Sequence, residues 1–377
     1  MMKKMTVFVG MSGGVDSSVS AALLKEAGYD VVGVFIRTWH PDFLACNEEE
    51  DRRDAMRVAA HLDIPFLTFD FEDVYKREVA DYMISEYKKG RTPNPDVMCN
   101  KEVKFGAFLK KALSMGADFV ATGHYAVRKN SSVFFSGPRF SSPQIRGARP
   151  DRSKNTEEFF LGKGADPAKD QSYFLWTLTQ AQLSKILFPG GHLQKSEVRK
   201  LAAKFKLPVA EKKDSQGICF LGEVDLKEFL KHYIKEKKGD VVNESGEVIG
   251  HHDGAVFHTL GERHGFTITE KTPHDSAYYI VGKDMKKNTL TVSQNRNTET
   301  AAQRSIYKIS DTNFSTVPTD KKYTAQIRYH GEFLLCAIKT STKGKAEVSF
   351  DHPVLVAAGQ SIVLYDGEIC LGGGIVA

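Results

Sequence analysis

Apolar runs and helical-period stretches alternate along the first third of the chain. Val7, Phe8 and Val9 form a short apolar run that reads as a buried strand. Val15, Val19, Ala22 and Leu23 then recur at helical spacing, Gly28 ends that pattern, and Val31 to Ile36 form a second apolar run. Strand, turn, helix and strand make a parallel crossover unit, which is right-handed. "FLTFDF" (66–71) and "ADFVATGHY" (117–125) read as further strands that end in polar residues. Between them, "EVADYMISEYKKG" and "EVKFGAFLKKALSMG" read as helices closed by glycine. This alternation predicts an α/β fold, a doubly wound parallel sheet with ligands at the C-terminal strand ends. Ile36 to Trp39 fall at one such end, and Gly123 and His124 at another.

Residues 136–168 change character: Ser, Pro, Gly and Arg dominate, which predicts a long surface loop or hairpin. Helical patterning returns over 169–207. After about residue 228 the texture becomes β, with short alternating runs such as "AYYIVGKD", "TLTVSQN", "TAQIRY" and "SIVLYDGEICLGGG" separated by turn signals. The expected organisation is a catalytic domain over 1–228, a small mixed, β-rich central domain over 229–300 and a C-terminal β-barrel over 301–377. A chain of 377 residues is long enough for two or three domains.

Composition narrows the class without naming it. The chain is 41% hydrophobic and 26% charged, as in globular proteins. No run approaches the ~20 apolar residues of a membrane span, and only Met1 to Thr6 precede the first strand, so a cytoplasmic location with no membrane partner is expected. A net charge of +5 admits a polyanionic partner without demanding one. The five cysteines form no CxxC pair, which argues against a zinc site and leaves buried free thiols as the default.

Chemistry first shows in "VFVGMSGGVDSSVSAALL" (7–24). Gly10, Gly13 and Gly14 let backbone approach a ligand, the helix after them offers free N–H groups to an anion, and Ser12, Ser17 and Ser18 add hydroxyls. The Gly-Lys-Ser/Thr ending of a Walker loop is missing, and the spacing is not GxGxxG. Asp16 repels a bare phosphate but makes sense beside Mg²⁺, which takes carboxylate and phosphate oxygens together. The second candidate is "TPNPDVMCNKEVKF" (92–105), where Pro93 and Pro95 stiffen the backbone and Asn94 and Asp96 present polar side chains. Cys99 there, near a helix N-terminus and beside Lys101 and Lys104, is expected to have a lowered thiol pKa. In "DSQGICF" (214–220), Cys219 taken alone reads as a core residue between Ile218 and Phe220. Cys336 and Cys370 lie in strand-like runs and read as structural, and Cys46 as non-catalytic.

"GMSGGVDSS" resembles the PP-loop of the ATP pyrophosphatase superfamily. With "TPNPDVMCNKEVKF", "ATGHYA", "KDQSYFL", "KSEVRKLA", "DSQGICF", "TLGERHGF" and "GQSIVLYDGEICLGGG" in one order, nearly the whole chain is similar to the bacterial-type tRNA-specific 2-thiouridylases, the MnmA family. The resemblance implies ATP-dependent adenylation of the C2 oxygen of a wobble uridine, then sulfur transfer that yields 2-thiouridine, AMP and pyrophosphate. It gives ATP and Mg²⁺ as cofactors, with Gly10, Met11, Ser12, Gly13, Gly14, Val15, Asp16, Ser17, Ile36 and Gly123 at the nucleotide and Asp16 linked indirectly to the metal. Cys219 is implied to carry a persulfide received from a donor protein. Cys99 is implied to be the catalytic thiol, with a transient Cys99–Cys219 disulfide if it attacks the persulfide, or an assisting role if the persulfide sulfur attacks directly. Asn94, Pro95 and Asp96 would face the target base, and Lys169, Asp170, Gln171, His124, Arg328, Tyr329 and Gln360 would contact tRNA. A monomer is the simplest assembly.

Two departures from the family pattern stand out. The 136–168 segment, with Arg139, Arg146, Arg149 and Arg152, is longer than the hairpin expected there, and Glu262 replaces the usual glutamine. Two rival readings remain open on sequence alone. A PP-loop ligase of small-molecule metabolism leaves Cys99 and Cys219 idle, and an inactive RNA-binding protein has no need of Ser12, Asp16 and both cysteines.

Overall fold

A computed structural model describes residues 4–44, 47–130, 158–214, 217–222, 224–269, 276–294, 304–341 and 344–377. Strand β1 (Thr6–Gly10) pairs in parallel with β2 (Asp30–Arg37) on one side and β4 (Phe119–Ala121) on the other. β3 (Phe66–Asp70) lies beyond β2 and β7 (Ile186–Leu187) beyond β4, giving the order β3-β2-β1-β4-β7. Side chains alternate across a strand, and β1 uses both faces. Val7 and Val9 enter one apolar cluster with α1 (Val15–Glu26), α2 (Glu48–His61) and helix Lys195–Lys204. Phe8 enters another with Tyr75, Met83, Val103 and Phe108 from the helices on the opposite face. The expected doubly wound sheet is present. Strand order reverses between β1 and β4, so a crevice opens at their carboxyl ends.

Helices over 72–88 and 95–114 cover that second face. The latter runs as Pro95–Met98, a π-helical stretch Cys99–Phe108 and Leu109–Ser114. One local reading needs correction. Residues 169–207 are not wholly helical: β7 lies among a 3₁₀ turn (Ser172–Leu175) and the helices Gln180–Leu183 and Lys195–Lys204. A two-residue strand offers too few positions for periodicity to register it. In the segment expected to be a long loop or hairpin, β6 (Phe159–Lys163) pairs antiparallel with β5 (Ala126–Asn130), as the hairpin alternative requires, and its other edge pairs with β18 (Ile369–Val376). Arg139, Arg146, Arg149, Arg152 and Cys46 lie outside the described residues.

Five strands form the central sheet: β8 (Gly239–Val242), β9 (Val248–His252), β10 (Phe266–Ile268), β11 (Tyr279–Asp284) and β12 (Thr289–Ser293). Val241, Ile280, Leu290 and Val292 make its core. The last strands are β13 (Arg304–Phe314), β14 (Tyr323–Gln326), β15 (Leu334–Thr340), β16 (Lys345–Val354), β17 (Ser361–Asp366) and β18. Their order β13-β16-β15-β14-β17-β18 closes through a β13–β18 pairing into a six-stranded antiparallel barrel. Cys336 and Cys370 are buried within these strands, as their apolar neighbours suggested. The barrel meets the first sheet's layer through buried polar contacts: Tyr173 Oη donates to the Ser361 carbonyl and Trp176 Nε1 to Ser361 Oγ, both at 3.1 Å. Among the described residues, no helix is long and apolar enough to cross a membrane.

Candidate active site

The loop after β1 lies in the crevice. Gly14 begins α1 with no side chain bonded to the first-turn N–H groups, so those donors remain for an anion. Gly13 has φ +74°, and a Cβ there would stand 2.3 Å from the Asp51 carbonyl oxygen. Gly123, just after β4, presses on the same turn: its Cβ would lie 2.6 Å from Ser17 N and 2.8 Å from the Asp16 carbonyl carbon. Ser17 Oγ accepts the Ser12 N–H at 3.2 Å and Ser18 Oγ donates to the Gly14 carbonyl at 2.7 Å, so the serines brace the loop. Met11, Val15 and Ile36 are buried in its support, and Gly10 closes β1.

Asp16 sits in the first turn of α1, and its Oδ1 takes both Tyr125 Oη, at 2.7 Å, and Lys195 Nζ, at 2.6 Å. Burial and the Asp16 charge push the Tyr125 phenol far upward, so it stays a donor. Lys195 Nζ also reaches Asp214 Oδ1 at 2.8 Å. Sequence reasoning quoted the segments that hold Lys195 and Asp214 but assigned neither residue a role. Their pairing spans 19 residues of chain and joins the first residue of the helix Lys195–Lys204 to a loop, which no local pattern encodes.

The two candidate thiols meet. Cys99 Sγ donates to Cys219 Sγ at 3.3 Å, across 120 residues of sequence. The Cys219 N–H donates to Asp96 Oδ1 at 2.9 Å, Tyr75 Oη to the Cys219 carbonyl at 2.7 Å, and His40 Nε2 to the Phe220 carbonyl at 2.8 Å. Asn94 caps the helix that carries Cys99, accepting the Val97 N–H at 3.2 Å, with Pro95 at its first position. Burial raises the Asp96 carboxyl, against the pull of the Cys219 N–H and Lys104.

The expected lowering of a thiol pKa falls on the other cysteine. Cys99 is the fifth residue of a continuous helical run and fully buried, and burial pushes its thiol well up, with the Cys219 contact adding to it. Cys219 is drawn down to about 7, chiefly by the hydrogen bond from Cys99, with Lys104 helping against burial. Lys101 points elsewhere, pairing with Glu102 at 3.0 Å. A group with a lowered pKa gains its anion earlier as pH rises. Alkylation of Cys219, followed by peptide mass spectrometry, should therefore increase with pH and level off at a lower pH than for a free thiol, while Cys99 stays unreacted. A midpoint at the free-thiol value of about 8.5 would contradict this arrangement.

The residues expected at tRNA fall into two groups. Tyr329 is half-buried on the loop after β14, packed on Phe174 at 4.4 Å and stacked on His330 at 3.9 Å, with Arg328 exposed beside it. Gln360 Nε2 donates to the Thr92 carbonyl at 3.0 Å, two residues before Asn94. Lys169 pairs with Asp214 at 2.8 Å. The remainder face inward. Asp170 accepts the Gly164 and Ser172 N–H groups, at 2.9 and 3.1 Å, and Gln171 Oε1 accepts the Tyr125 N–H at 3.0 Å. His124 is buried, with Nδ1 on Thr122 Oγ1 at 2.7 Å and its ring near Phe105 and Phe188. Burial, with Lys104, holds this imidazole well below its usual pKa and therefore neutral. The unusual Glu262 accepts the Thr259 N–H at 2.9 Å and lies 3.7 Å from His258 Nδ1.

A phosphate-type loop at the switch point of a parallel sheet, beside two opposed thiols, defines a PP-loop enzyme with a dicysteine centre. Family models described as tRNA methyl transferase HUP domain, tRNA methyl transferase PRC-barrel domain and Aminomethyltransferase beta-barrel domain match residues 5–223, 227–294 and 303–376. The chain is 45% identical to the tRNA-specific 2-thiouridylase MnmA of Geobacillus thermodenitrificans over 379 residues, spanning 98% of this chain and 94% of that one. It is 44% identical over 375 residues to the Listeria monocytogenes protein of the same name, with the same coverage. The chain belongs to the tRNA-specific 2-thiouridylase family. Among solved structures, the U34-tRNA thiolase NcsA from Methanococcus maripaludis aligns with TM-score 0.34 and 20% identity, over 62% of this chain and 68% of that one. A 4-thiouridine synthetase–RNA complex with bound ATP aligns with TM-score 0.34 and 17% identity, over 60% of this chain and 50% of that one.

Proposed function

We propose that the chain is an ATP-dependent tRNA uridine 2-sulfurtransferase that converts a wobble uridine to 2-thiouridine, releasing AMP and pyrophosphate. The observation that carries this reading is the pair of thiols 3.3 Å apart, in the same domain as the loop after β1, whose Asp16 shares Lys195 with Asp214, five residues before Cys219 in sequence. Sulfur and nucleotide chemistry thus share one crevice.

The uridine C2 oxygen is a poor leaving group, and joining it to the α-phosphorus of ATP, with loss of pyrophosphate, makes it a good one. The N–H groups at the start of α1 and the Lys195 ammonium receive the charge that develops on pyrophosphate. Mg²⁺ fits here, because Asp16 places a carboxylate oxygen, a donor this cation prefers, in the first turn of an uncapped helix; Asp16 would help to hold it, and the cation's charge would offset that of the leaving pyrophosphate. Asn94, Pro95 and Asp96 lie where a flipped base would meet the thiols, and Arg328, Tyr329, Lys169 and Gln360 offer cationic, aromatic and amide groups to the surrounding RNA.

A donor protein loads Cys219 as a persulfide, for which its lowered proton affinity suits it. Cys99 gives up its proton and attacks Cys219 Sγ, and the persulfide S–S bond breaks. The terminal sulfur leaves as sulfide, or as the 2-thio group where it has already bonded C2. The C2–O bond breaks with AMP as leaving group. A Cys99–Cys219 disulfide remains, and an external thiol returns two electrons to it. This requirement matches a reducing cytoplasm.

The test is incubation of the full chain with unmodified tRNA bearing a wobble uridine, ATP, Mg²⁺ and a persulfide source, followed by nucleoside mass spectrometry. Exchange of one oxygen for sulfur on uridine, with AMP formed, is expected. AMP formation with a small-molecule acceptor and no thiolated nucleoside would instead establish a metabolic ligase.

A further inference from the structure

Cys99 opens the π-helical stretch Cys99–Phe108. In an α-helix, residue i+5 stands roughly 140° around the axis from residue i, so Lys104 would face away from Cys99. A π-helix repeats its backbone bonds at i→i+5, which swings residue i+5 back toward the side of residue i, and such stretches are frequent at functional sites. The wider winding thus brings Lys104 to the side of the helix that carries Cys99. Lys101, earlier in the same stretch, pairs with Glu102 instead, at 3.0 Å. The Lys104 ammonium donates a hydrogen bond to the Cys219 sulfur. It also lies 5.5 Å from the centre of the Phe220 ring, so the residue after Cys219 covers it. Burial works against the ammonium's charge, yet Cys219, Cys99 and Asp96 hold its proton affinity above the usual lysine value. Geometry and charge together mark Lys104 as a fixed cation at the thiol pair.

We propose that Lys104 is a catalytic residue of the sulfur transfer, an ammonium that holds the negative charge on sulfur from loading to release. The proposal rests on the persulfide chemistry of the proposed function. The loaded site contains the Cys219 persulfide anion and the Cys99 thiol. Cys99 keeps its proton until it attacks, because burial raises its proton affinity, with the Cys219 contact adding to it. Attack of Cys99 Sγ on Cys219 Sγ forms one S–S bond and breaks another, and the Cys99 proton passes to the departing sulfur. Thiol and persulfide anion become the Cys99–Cys219 disulfide and HS⁻, with Cys99 oxidised and the outer persulfide sulfur reduced. One negative charge is present before and after the step, and it stays on sulfur beside Cys219. A single preorganised ammonium therefore serves the thiolate that accepts sulfur, the persulfide anion and the departing sulfide.

The test compares the full chain with its Lys104→Met, Lys104→Gln and Lys104→Arg variants. Methionine and glutamine remove the charge with different side-chain shapes, and arginine restores it. The first reading is the pH profile of Cys219 alkylation, with Cys336 and Cys370, buried in the barrel, as unreactive reporters of an intact fold. Loss of a neighbouring opposite charge should move the profile of both neutral variants up by about one to three pH units, and arginine should bring it back. The other titratable groups around Cys219 are the same in every variant: Cys99 on its sulfur, Asp96 on its N–H, Tyr75 on its carbonyl and His40 on the next carbonyl. Lys104 itself also acts on His124, which burial chiefly keeps neutral. The second reading is thiolation from a persulfide donor, which should fall about 10²-fold in the neutral variants while ATP–pyrophosphate exchange persists. An unmoved alkylation profile would overturn the proposal, as would undiminished thiolation by a neutral variant. Exchange falling as far as thiolation would also overturn it, by assigning Lys104 to the nucleotide. Absence of thiolation by the wild-type chain would instead remove the proposed function, and the alkylation profile would still decide whether Lys104 holds the Cys219 anion.

Discussion

Replacing Cys219 by alanine is expected to reduce thiolation from a persulfide donor by on the order of 10³-fold or more, since the acceptor of the transferred sulfur is gone. Adenylation, read as ATP–pyrophosphate exchange, should persist because the loop after β1 is untouched. Supplying free sulfide should restore part of the activity, as sulfide can attack the activated carbon without a carrier. Cys99→Ala is expected to show the complementary defect. Cys219 still accepts sulfur, so the protein should accumulate one extra sulfur by intact mass, while transfer to tRNA falls by a similar factor. The distinction follows from burial: Cys99 is fully enclosed and holds its proton, whereas Cys219 is half-buried with its proton affinity lowered. Undiminished thiolation by either variant would remove the thiol pair from the mechanism.

Gly123→Ala is expected to act through the nucleotide half of the reaction. A methyl group there would sit 2.6 Å from Ser17 N, against the backbone that starts α1. Neither neighbour is a flexible side-chain end, so the loops after β1 and β4 must separate. A displacement of the order of 1 Å in a positioned site costs about 10²-fold in rate, and ATP–pyrophosphate exchange should fall by that factor. Tyr125→Phe provides a milder control, since it removes only the 2.7 Å hydrogen bond to Asp16 and leaves the backbone in place. Exchange at wild-type rate in a folded Gly123→Ala chain would show that contact between the two loops is dispensable for adenylation.

Much of this architecture was legible because its signals are local. The run Val7–Val9, the glycines after it and the periodic Val15 to Leu23 sit within one crossover unit, and that unit alone specifies strand, loop and helix. Cys99 was singled out through its proline-fixed neighbours, and its proton affinity was assigned the wrong way. The sequence shows charged lysines nearby but not which of them face the thiol. Lys101 turns outward to Glu102, and burial of Cys99 in the core outweighs the remaining cation. The sequence does not show that Asp170 and Gln171, both expected at tRNA, also hold the backbone N–H groups of Gly164, Ser172 and Tyr125, because those partners are set by the packing of separate segments. That β6 also joins β18 was hidden because this second partner belongs to the far end of the chain.

The sequence alone determined the class of fold and the presence of a phosphate-type loop, and it set Cys99 apart from the other cysteines. Each depends on residue type and short-range spacing, which fix backbone conformation and the chemical groups present. Tertiary structure alone decided that Cys99 and Cys219 meet at 3.3 Å and which of them loses its proton first. It alone joined Asp214 to Lys195, Arg199 and Lys169. Proton affinity and ion pairing depend on distance and desolvation, quantities created when segments far apart in sequence are packed together.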